Sequence, residues 1–306
     1  MKQNPQPFIQ VYVLCHNRTQ FVKEAVASVL KQSYLNFEVI VSDNSADNDV
    51  FEELNTGDDL NKFRYIRRPN LSLAEHQNEI LAEVSAPYFM MFHDDDVLQK
   101  NALQRLMAGF QNDQTVAVGA NATILQNIQI TGKLYYPELL ENKVLNSPEE
   151  LATHYLDPEK GSVPFSVYLY KTEHAQKNKF DFKEGRDFAN AAFLLKLSAS
   201  GPFVWLSDTL VSFRLHEGNA PMGIDVRTIL SFCRFIKNNF AVPEQVLSEF
   251  KMKKLVWWRL QQNNPEKTRL SKHRESVILK ASILFLVSNP LVVFQSLLRR
   301  IRKLKR

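Results

Sequence analysis

Three consecutive carboxylates, Asp94-Asp95-Asp96, follow the apolar run Tyr88-Phe89-Met90-Met91-Phe92 with only His93 between. Adjacent carboxylates repel, so placing them together costs stability unless a cation or ligand offsets the charge. Carboxylate oxygens are hard ligands suited to Mg²⁺ or Mn²⁺, and Mg²⁺ commonly takes one or two carboxylates together with substrate phosphates. The same run also fits a solvated acidic turn that caps the next helix. Its place directly after an aromatic strand favours the metal reading. Upstream, Asp43-Asn44-Ser45 closes a second apolar run, Phe37-Glu38-Val39-Ile40-Val41-Ser42. Asp43 fits a turn residue and equally a strand-end acceptor for a base or ribose.

The elements that must position these groups alternate. Phe8–Cys15 reads as a buried strand, broken by His16-Asn17-Arg18-Thr19, with Thr19 a candidate cap for a helix running to about Gln32. Strands are predicted at 37–42, 63–66, 88–92 and 116–119, and helices at 73–84 and 101–110. Alternating strands and helices at this spacing predict βαβ units and a mostly parallel sheet. In such open sheets ligands bind outside the carboxyl ends of the strands, where Asp43 and Asp94–Asp96 both fall. The pattern weakens from Leu125 to Gly161, predicting a loop-rich excursion. Ser162–Tyr170 reads as a strand around Pro164, Ala189–Leu197 as a helix, and 204–206 and 209–215 as strands leading to His216. Helical patterns dominate after Pro221.

Composition excludes several classes. The chain has 306 residues and a formal charge of +5. Glu266–Arg306 holds 11 basic and 2 acidic residues, and the preceding part holds 27 basic and 31 acidic. A mildly acidic body argues against nucleic-acid binding along it. Two cysteines exclude a disulfide scaffold and suit a reducing compartment. Residues 1–5 lack a signal peptide's apolar core, so a cytosolic body is expected. There is no G-x-G-x-x-G for a dehydrogenase. Residues 8–20 contain no glycine for the phosphate loop of a nucleotidyltransferase.

Five segments, taken in order, carry a resemblance. They are Leu14-Cys15-His16-Asn17-Arg18, Gln32-Ser33-Tyr34, Glu38-Val39-Ile40-Val41-Ser42-Asp43-Asn44-Ser45, Asn70 through Asn78, and His93-Asp94-Asp95-Asp96-Val97-Leu98. The first hundred or so residues resemble the nucleotide-sugar half of the family 2 glycosyltransferases, which have the GT-A fold. In the Asn70–Asn78 segment the family's Gly is Ser72 and its Arg is Gln77. The resemblance implies an α/β fold, a Rossmann-like mostly parallel sheet flanked by helices; with the change of pattern after Pro221, that domain is expected over residues 1–222 and a helical extension over 223–306. It implies a nucleotide-sugar donor. Leu14, His16, Asn17 and Arg18 would line the nucleotide pocket, with Ser45, Asn70, Asn78 and Asp94 contributing. Asp43 would contact the base, typically uracil. Asp95 and Asp96 would hold Mg²⁺ or Mn²⁺ against the diphosphate. Phe213-Arg214-Leu215-His216 resembles a later family segment, with Arg214 facing phosphate charge and His216 facing metal or diphosphate. The family's general base lies in a Glu-Asp pair before an apolar helix. Here no such pair exists; Asp187 is the best carboxylate and Glu184 the second, although Asp187 also fits a helix cap. Asn190 stands where an Asp is often found. These departures also fit a non-catalytic scaffold.

Ala281–Leu298 is uncharged and interrupted by Asn289-Pro290, with basic groups on both sides. One span would place one basic group on the wrong side of the membrane. Two short helices in the cytoplasmic interface keep both near anionic lipid; a helix pair packed on protein and a true span are the alternatives. The expected location is the cytoplasmic face of the inner membrane, peripheral or re-entrant. The acceptor would then be a saccharide or a lipid-linked saccharide in surface-polysaccharide assembly.

Overall fold

The computed structural model describes residues 6–55, 60–126, 129–157, 161–216 and 226–262. In chain order the elements begin β1 (Ile9–Cys15), α1 (Thr19–Leu30), β2 (Phe37–Asp43), α2 (Asp49–Leu54), β3 (Arg64–Arg67), α3 (Leu73–Glu83), β4 (Tyr88–His93), β5 (Val97–Leu98) and α4 (Ala102–Ala108). They continue β6 (Ala117–Gln126), β7 (Gln129–Leu134), β8 (Lys143–Leu145), α5 (Pro148–Leu156), β9 (Leu169–Lys171), α6 (Thr172–Ala175), α7 (Phe182–Gly185), α8 (Ala189–Leu197), β10 (Phe203–Leu215), α9 (Val226–Asn239) and α10 (Glu244–Gln262).

All ten strands described join one sheet. Its order is β3-β2-β1-β4-β9-β6-β10-β5, with β7 on β6 and β8 on β10. The first four strands are parallel, β9 is antiparallel to both neighbours, and β10 runs parallel to β6. Successive side chains of a strand face opposite sides of a sheet, so the two faces build two apolar layers. Val11, Val13, Val39, Val41 and Phe92 face α1 and α4. Tyr12, Ile40, Phe89 and Met91 face the other way, into a layer shared with α3, α5, α8, α9 and α10. Ile229, Phe232, Phe235, Leu247 and Phe250 thus bury the two last described helices in the same core as the sheet.

Register positions the site. Leu14 of β1 pairs with His93 of β4, and Cys15 with Asp43 of β2. The two acidic segments therefore leave neighbouring strand ends on either side of β1.

Four expectations change. Arg18, not Thr19, holds the N-cap position of α1, and no side chain caps the helix there. The predicted loop region after Leu125 instead carries β7, β8 and α5. The exposed face of β7 leaves it no apolar alternation to reveal it, whereas α5 has an N-terminal signature, Ser147 capping before Pro148. The segment around Pro164 is a tight turn, Phe165–Val167, before β9, because proline lacks a donor for a sheet. The two strands predicted after residue 203 are one strand, β10, irregular between Leu206 and Val211.

Ser72, where the resembled pattern has Gly, caps α3: its hydroxyl accepts from Glu75 N (3.3 Å), and the Glu75 carboxylate accepts from Ser72 N (2.8 Å). Gly119 on β6 permits a close approach. A Cβ there would lie 2.7 Å from the Tyr168 ring, and Tyr168 in turn accepts a hydrogen bond from Trp205 Nε1 at 2.6 Å. Among the described residues no helix is long and apolar enough to cross a membrane. The predicted interfacial segment, Val277–Leu298, lies outside them.

Candidate active site

Asp94, Asp95 and Asp96 are all buried. Asp94 and Asp95 share one arginine, and Asp96 has partners of its own. Asp94 Oδ2 accepts from His16 N at 3.1 Å, and its Oδ1 accepts from Arg18 Nη1 at 3.0 Å. Asp95 Oδ2 accepts from the same Arg18 Nη1 at 2.7 Å and lies 3.1 Å from His216 Nε2. Asp96 Oδ2 accepts from Ser166 Oγ at 2.6 Å, and its Oδ1 accepts from Arg214 N at 3.0 Å. Burial raises the Asp94 carboxyl to about 7 despite the neighbouring Arg18. Burial, and then the charge of Asp95, raises Asp96 to about 7 as well.

His93, Asp95 and Asp96 each offer a ligand atom, and these atoms lie within 4.8 Å of one another. Burial pulls the His93 imidazole below its ordinary value, keeping the neutral, ligating form. One imidazole and two carboxylates suit a divalent ion that also takes phosphate oxygens, and Arg18 already places a positive charge against them. The donor set fits a metal. It differs from the expected Asp95–Asp96–His216 set in adding His93, whose signal was its place at the strand end beside the triplet. His216 reaches the cluster through Asp95.

Arg214 is almost fully buried. Its Nε donates to the Asp95 carbonyl oxygen at 2.8 Å, its Nη2 pairs with Glu24, and its guanidinium lies over the Phe21 ring. Phe21 also contacts the His216 ring, with centroids 4.9 Å apart. Glu24, Phe21 and Ser166 contact the cluster or its partners and were not singled out by the sequence, since each lies in an ordinary helical or loop pattern.

The second segment forms a separate cradle. Asp43 Oδ1 accepts from Ser45 N at 2.9 Å, and Oδ2 accepts from the Tyr65 hydroxyl, with Arg67 3.9 Å away. Asn17, with a positive φ of 55°, donates its N–H to Ser45 Oγ at 2.8 Å and accepts Ala46 N–H at 3.1 Å. The turns after β1 and β2 are thereby tied together. Leu14 is the buried residue of β1 paired with His93. Behind Asp43, Ser42 Oγ lies 2.7 Å from His76 Nε2 and accepts from Arg68 Nε at 3.0 Å. Burial, with Arg68 adding to it, lowers His76 to about 4, so its ring is neutral at pH 7. Asn70 turns the chain with φ 65°. Asn78 spends its amide on both backbone groups of Phe180, at 2.9 Å each.

A cavity of about 180 Å³ is walled by Tyr135, Tyr155, Phe165 and Trp205 and lined also by Asp187 and Asn190. Phe165 connects the two regions, because the next residue, Ser166, holds Asp96. Asp187 is exposed and accepts from Thr228 Oγ1 at 3.2 Å. Glu184 is paired with Lys196 at 2.5 Å. Two of the positions that depart from the resembled pattern meet: Gln77 Nε2 donates to Asn190 Oδ1 at 2.9 Å. A neutral amide pair thus stands where the pattern would place an arginine and an aspartate.

Buried carboxylates thus lie at the ends of parallel strands of an α/β scaffold, with the Asp43 cradle beside them. Residues 10–176 match the family described as Glycosyl transferase family 2, and the chain belongs to that family. It is similar to an uncharacterised glycosyltransferase of Haemophilus influenzae, 23% identical over 221 residues, 69% of this chain and 66% of that one. It is 22% identical to the chondroitin synthase of Pasteurella multocida over 249 residues, 79% of this chain but 23% of the synthase. The Escherichia coli enzyme named UDP-Glc:alpha-D-GlcNAc-diphosphoundecaprenol beta-1,3-glucosyltransferase WfgD is 26% identical over 144 residues, 45% of this chain and 55% of that one. The chain therefore spans less than two thirds of these relatives' lengths.

Solved structures that share the fold include two with a bound nucleotide sugar. S. aureus TarS 1–349 in complex with UDP-GlcNAc has a TM-score of 0.60 and 15% identity, covering 91% of this chain and 80% of that one. The mannosyltransferase PcManGT from Pyrobaculum calidifontis, in complex with GDP-Man and Mn²⁺, has a TM-score of 0.55 and 12% identity, covering 95% and 84%.

Proposed function

We propose that this glycosyltransferase moves a sugar, with inversion, from a nucleotide-diphosphate donor, a UDP-sugar by preference, to a saccharide or lipid-linked acceptor in surface-polysaccharide synthesis. The observation that carries the reading is the His93/Asp95/Asp96 cluster lying across β1 from the Asp43 cradle. That separation suits a diphosphate at one end and its base at the other. Asp43 would accept from the base, while the tied turns of Asn17 and Ser45 hold the ribose side. A divalent ion held by Asp95, Asp96 and His93 would supply charge neutralisation for the departing diphosphate.

Asp187 serves as the general base. It reaches the cavity, whereas Glu184 is engaged by Lys196. In the reaction the acceptor hydroxyl oxygen attacks the anomeric carbon from the face opposite the diphosphate. Asp187 takes the hydroxyl proton, and the nucleoside diphosphate leaves with the electrons of the broken C–O bond. No covalent enzyme intermediate is needed. The aromatic walls of the cavity exclude water and offer an apolar surface to a sugar ring.

The acceptor class is supported by the printed substrate of the WfgD relative, a diphosphoundecaprenol-linked sugar. The donor class is supported by the UDP-GlcNAc complex of TarS. A lipid-linked acceptor agrees with the basic, Pro-broken tail read as a peripheral anchor at the cytoplasmic membrane surface. A second reading, a non-catalytic scaffold, is favoured by the neutral Gln77–Asn190 pair. A donor screen by mass spectrometry, with and without EDTA, tests the proposal. Asp187→Asn is expected to lose about 10²- to 10⁴-fold in turnover while keeping donor affinity. Normal turnover by that variant would remove Asp187 from the base role, and a chain that binds UDP but transfers from no donor would leave the scaffold.

A further inference from the structure

Resting on the nucleotide-sugar reading, we infer that Arg18 is a tethered counter-ion of the acidic triplet, which yields Asp95 to the divalent ion and turns onto the donor's diphosphate. A single nitrogen, Nη1, spans two carboxylates: Asp94 Oδ1 at 3.0 Å and Asp95 Oδ2 at 2.7 Å. Asp95 belongs to the group whose ligand atoms lie within 4.8 Å of one another, and Asp94 does not. Arg18 therefore bridges from outside that group into it. Asp95 Oδ2 also faces His216 Nε2 at 3.1 Å. An ion that uses this oxygen must displace nitrogen donors from it, and a guanidinium beside a divalent cation is repelled.

The arginine is built to leave. Its side chain is 35% exposed, whereas those of Asp94 and Asp95 are 2% and 4% exposed. The backbone of its turn does not depend on that side chain. His16 N is held by Asp94, Asn17 N by Ser45 Oγ, and Asn17 Oδ1 holds Ala46 N. The guanidinium can therefore rotate out while the turn stays. Arg214, the other arginine at the triplet, is locked by Glu24, the Asp95 carbonyl oxygen and the Phe21 ring, with its side chain 1% exposed. A freed Arg18 presents a planar fork that matches two phosphate oxygens. The metal-free chain thus keeps its acidic triplet neutralised, and the cation released when the ion arrives is re-used on the ligand that accompanies it.

The test uses full-length Arg18→Gln and Arg18→Lys with two readouts of opposite sign. Mn²⁺ affinity without nucleotide is read by electron paramagnetic resonance of the free ion. UDP affinity at saturating Mn²⁺ is read by calorimetry. For Arg18→Gln, Mn²⁺ is expected to bind about five- to tenfold more tightly and UDP about tenfold more weakly, the scale of one charge-assisted hydrogen bond. Arg18→Lys should fall between on both, since it keeps the charge and loses the fork. A purely structural arginine would weaken both ligands together. Unchanged or weaker Mn²⁺ binding by a variant that melts like the wild type overturns the inference. So does unaltered UDP affinity. Wild-type protein that binds neither UDP nor Mn²⁺ would instead overturn the nucleotide-sugar reading, and this inference with it.

Discussion

Ser166 gives the sharpest test of how the triplet is assembled. Its hydroxyl donates to Asp96 Oδ2 at 2.6 Å, and both residues are buried. The other Asp96 oxygen takes Arg214 N, so Ser166→Ala removes one of these two donors. A hydrogen bond to a charged group contributes about 1.5–3 kcal/mol, equivalent to about one to two pK units against the ionised carboxylate. Burial already raises Asp96 to about 7, so losing this donor leaves it largely protonated near neutrality. Mn²⁺ affinity, read by titration at pH 8, should fall about 10- to 100-fold, as for other groups that orient a metal ligand. Folding stability should fall far less, because the protonated carboxyl tolerates the missing donor. Thermal melting of the metal-free protein checks that asymmetry. A variant whose Mn²⁺ affinity stays within about twofold of wild type, with an unchanged melting temperature, would show that Asp96 is not a ligand oriented by Ser166 and would refute the reasoning.

Two further outcomes are expected. Asp94 and Asp96 are held at about 7 in the folded chain, against an ordinary 3.8. Their contribution to metal-free stability is therefore fully present below about pH 4 and is lost as pH rises towards 7, while Mn²⁺ affinity rises over the same window. Melting curves from pH 5 to 8, with and without Mn²⁺ and referenced to Asp96→Asn, check this; stabilisation by Mn²⁺ that is larger at pH 5 than at pH 8 would contradict it. The Gln77–Asn190 contact predicts a coupling energy of about 0.5–1.5 kcal/mol in a double-mutant cycle of Gln77→Ala and Asn190→Ala read by denaturant unfolding. Additive losses would mean that the two amides do not support one another.

The alternating half of the molecule was legible because β1, β2 and β4 are largely buried on both faces. The run Tyr88–Phe92 is apolar throughout and the run Phe37–Ser42 holds the apolar core Val39–Val41, each bounded by a polar cluster at its carboxyl end. β7 was not legible, because an exposed strand carries no apolar period. The split prediction across β10 came from its polar bulge, Ser207-Asp208, which interrupts the pattern without ending the strand. The site shows the same division. The triplet and Asp43 stand out by type and by strand position. Ser166, Glu24 and Phe21 do not, since an isolated serine, glutamate or phenylalanine becomes part of a site only through its contacts.

The residue order alone determined the sheet class, the two acidic strand ends and the charge contrast between body and tail. These follow from local periodicity and from residue types that have few other uses in such places. Only the tertiary structure decided which groups meet. The pairing of Leu14 with His93 and of Cys15 with Asp43 set the triplet and the cradle on either side of β1. Folding back from Ser166, Arg214 and His216 then gave Asp95 and Asp96 their distant partners, and set Gln77 against Asn190 across more than a hundred residues of chain. Such contacts depend on shape and burial summed over the whole fold, so no window of sequence contains them.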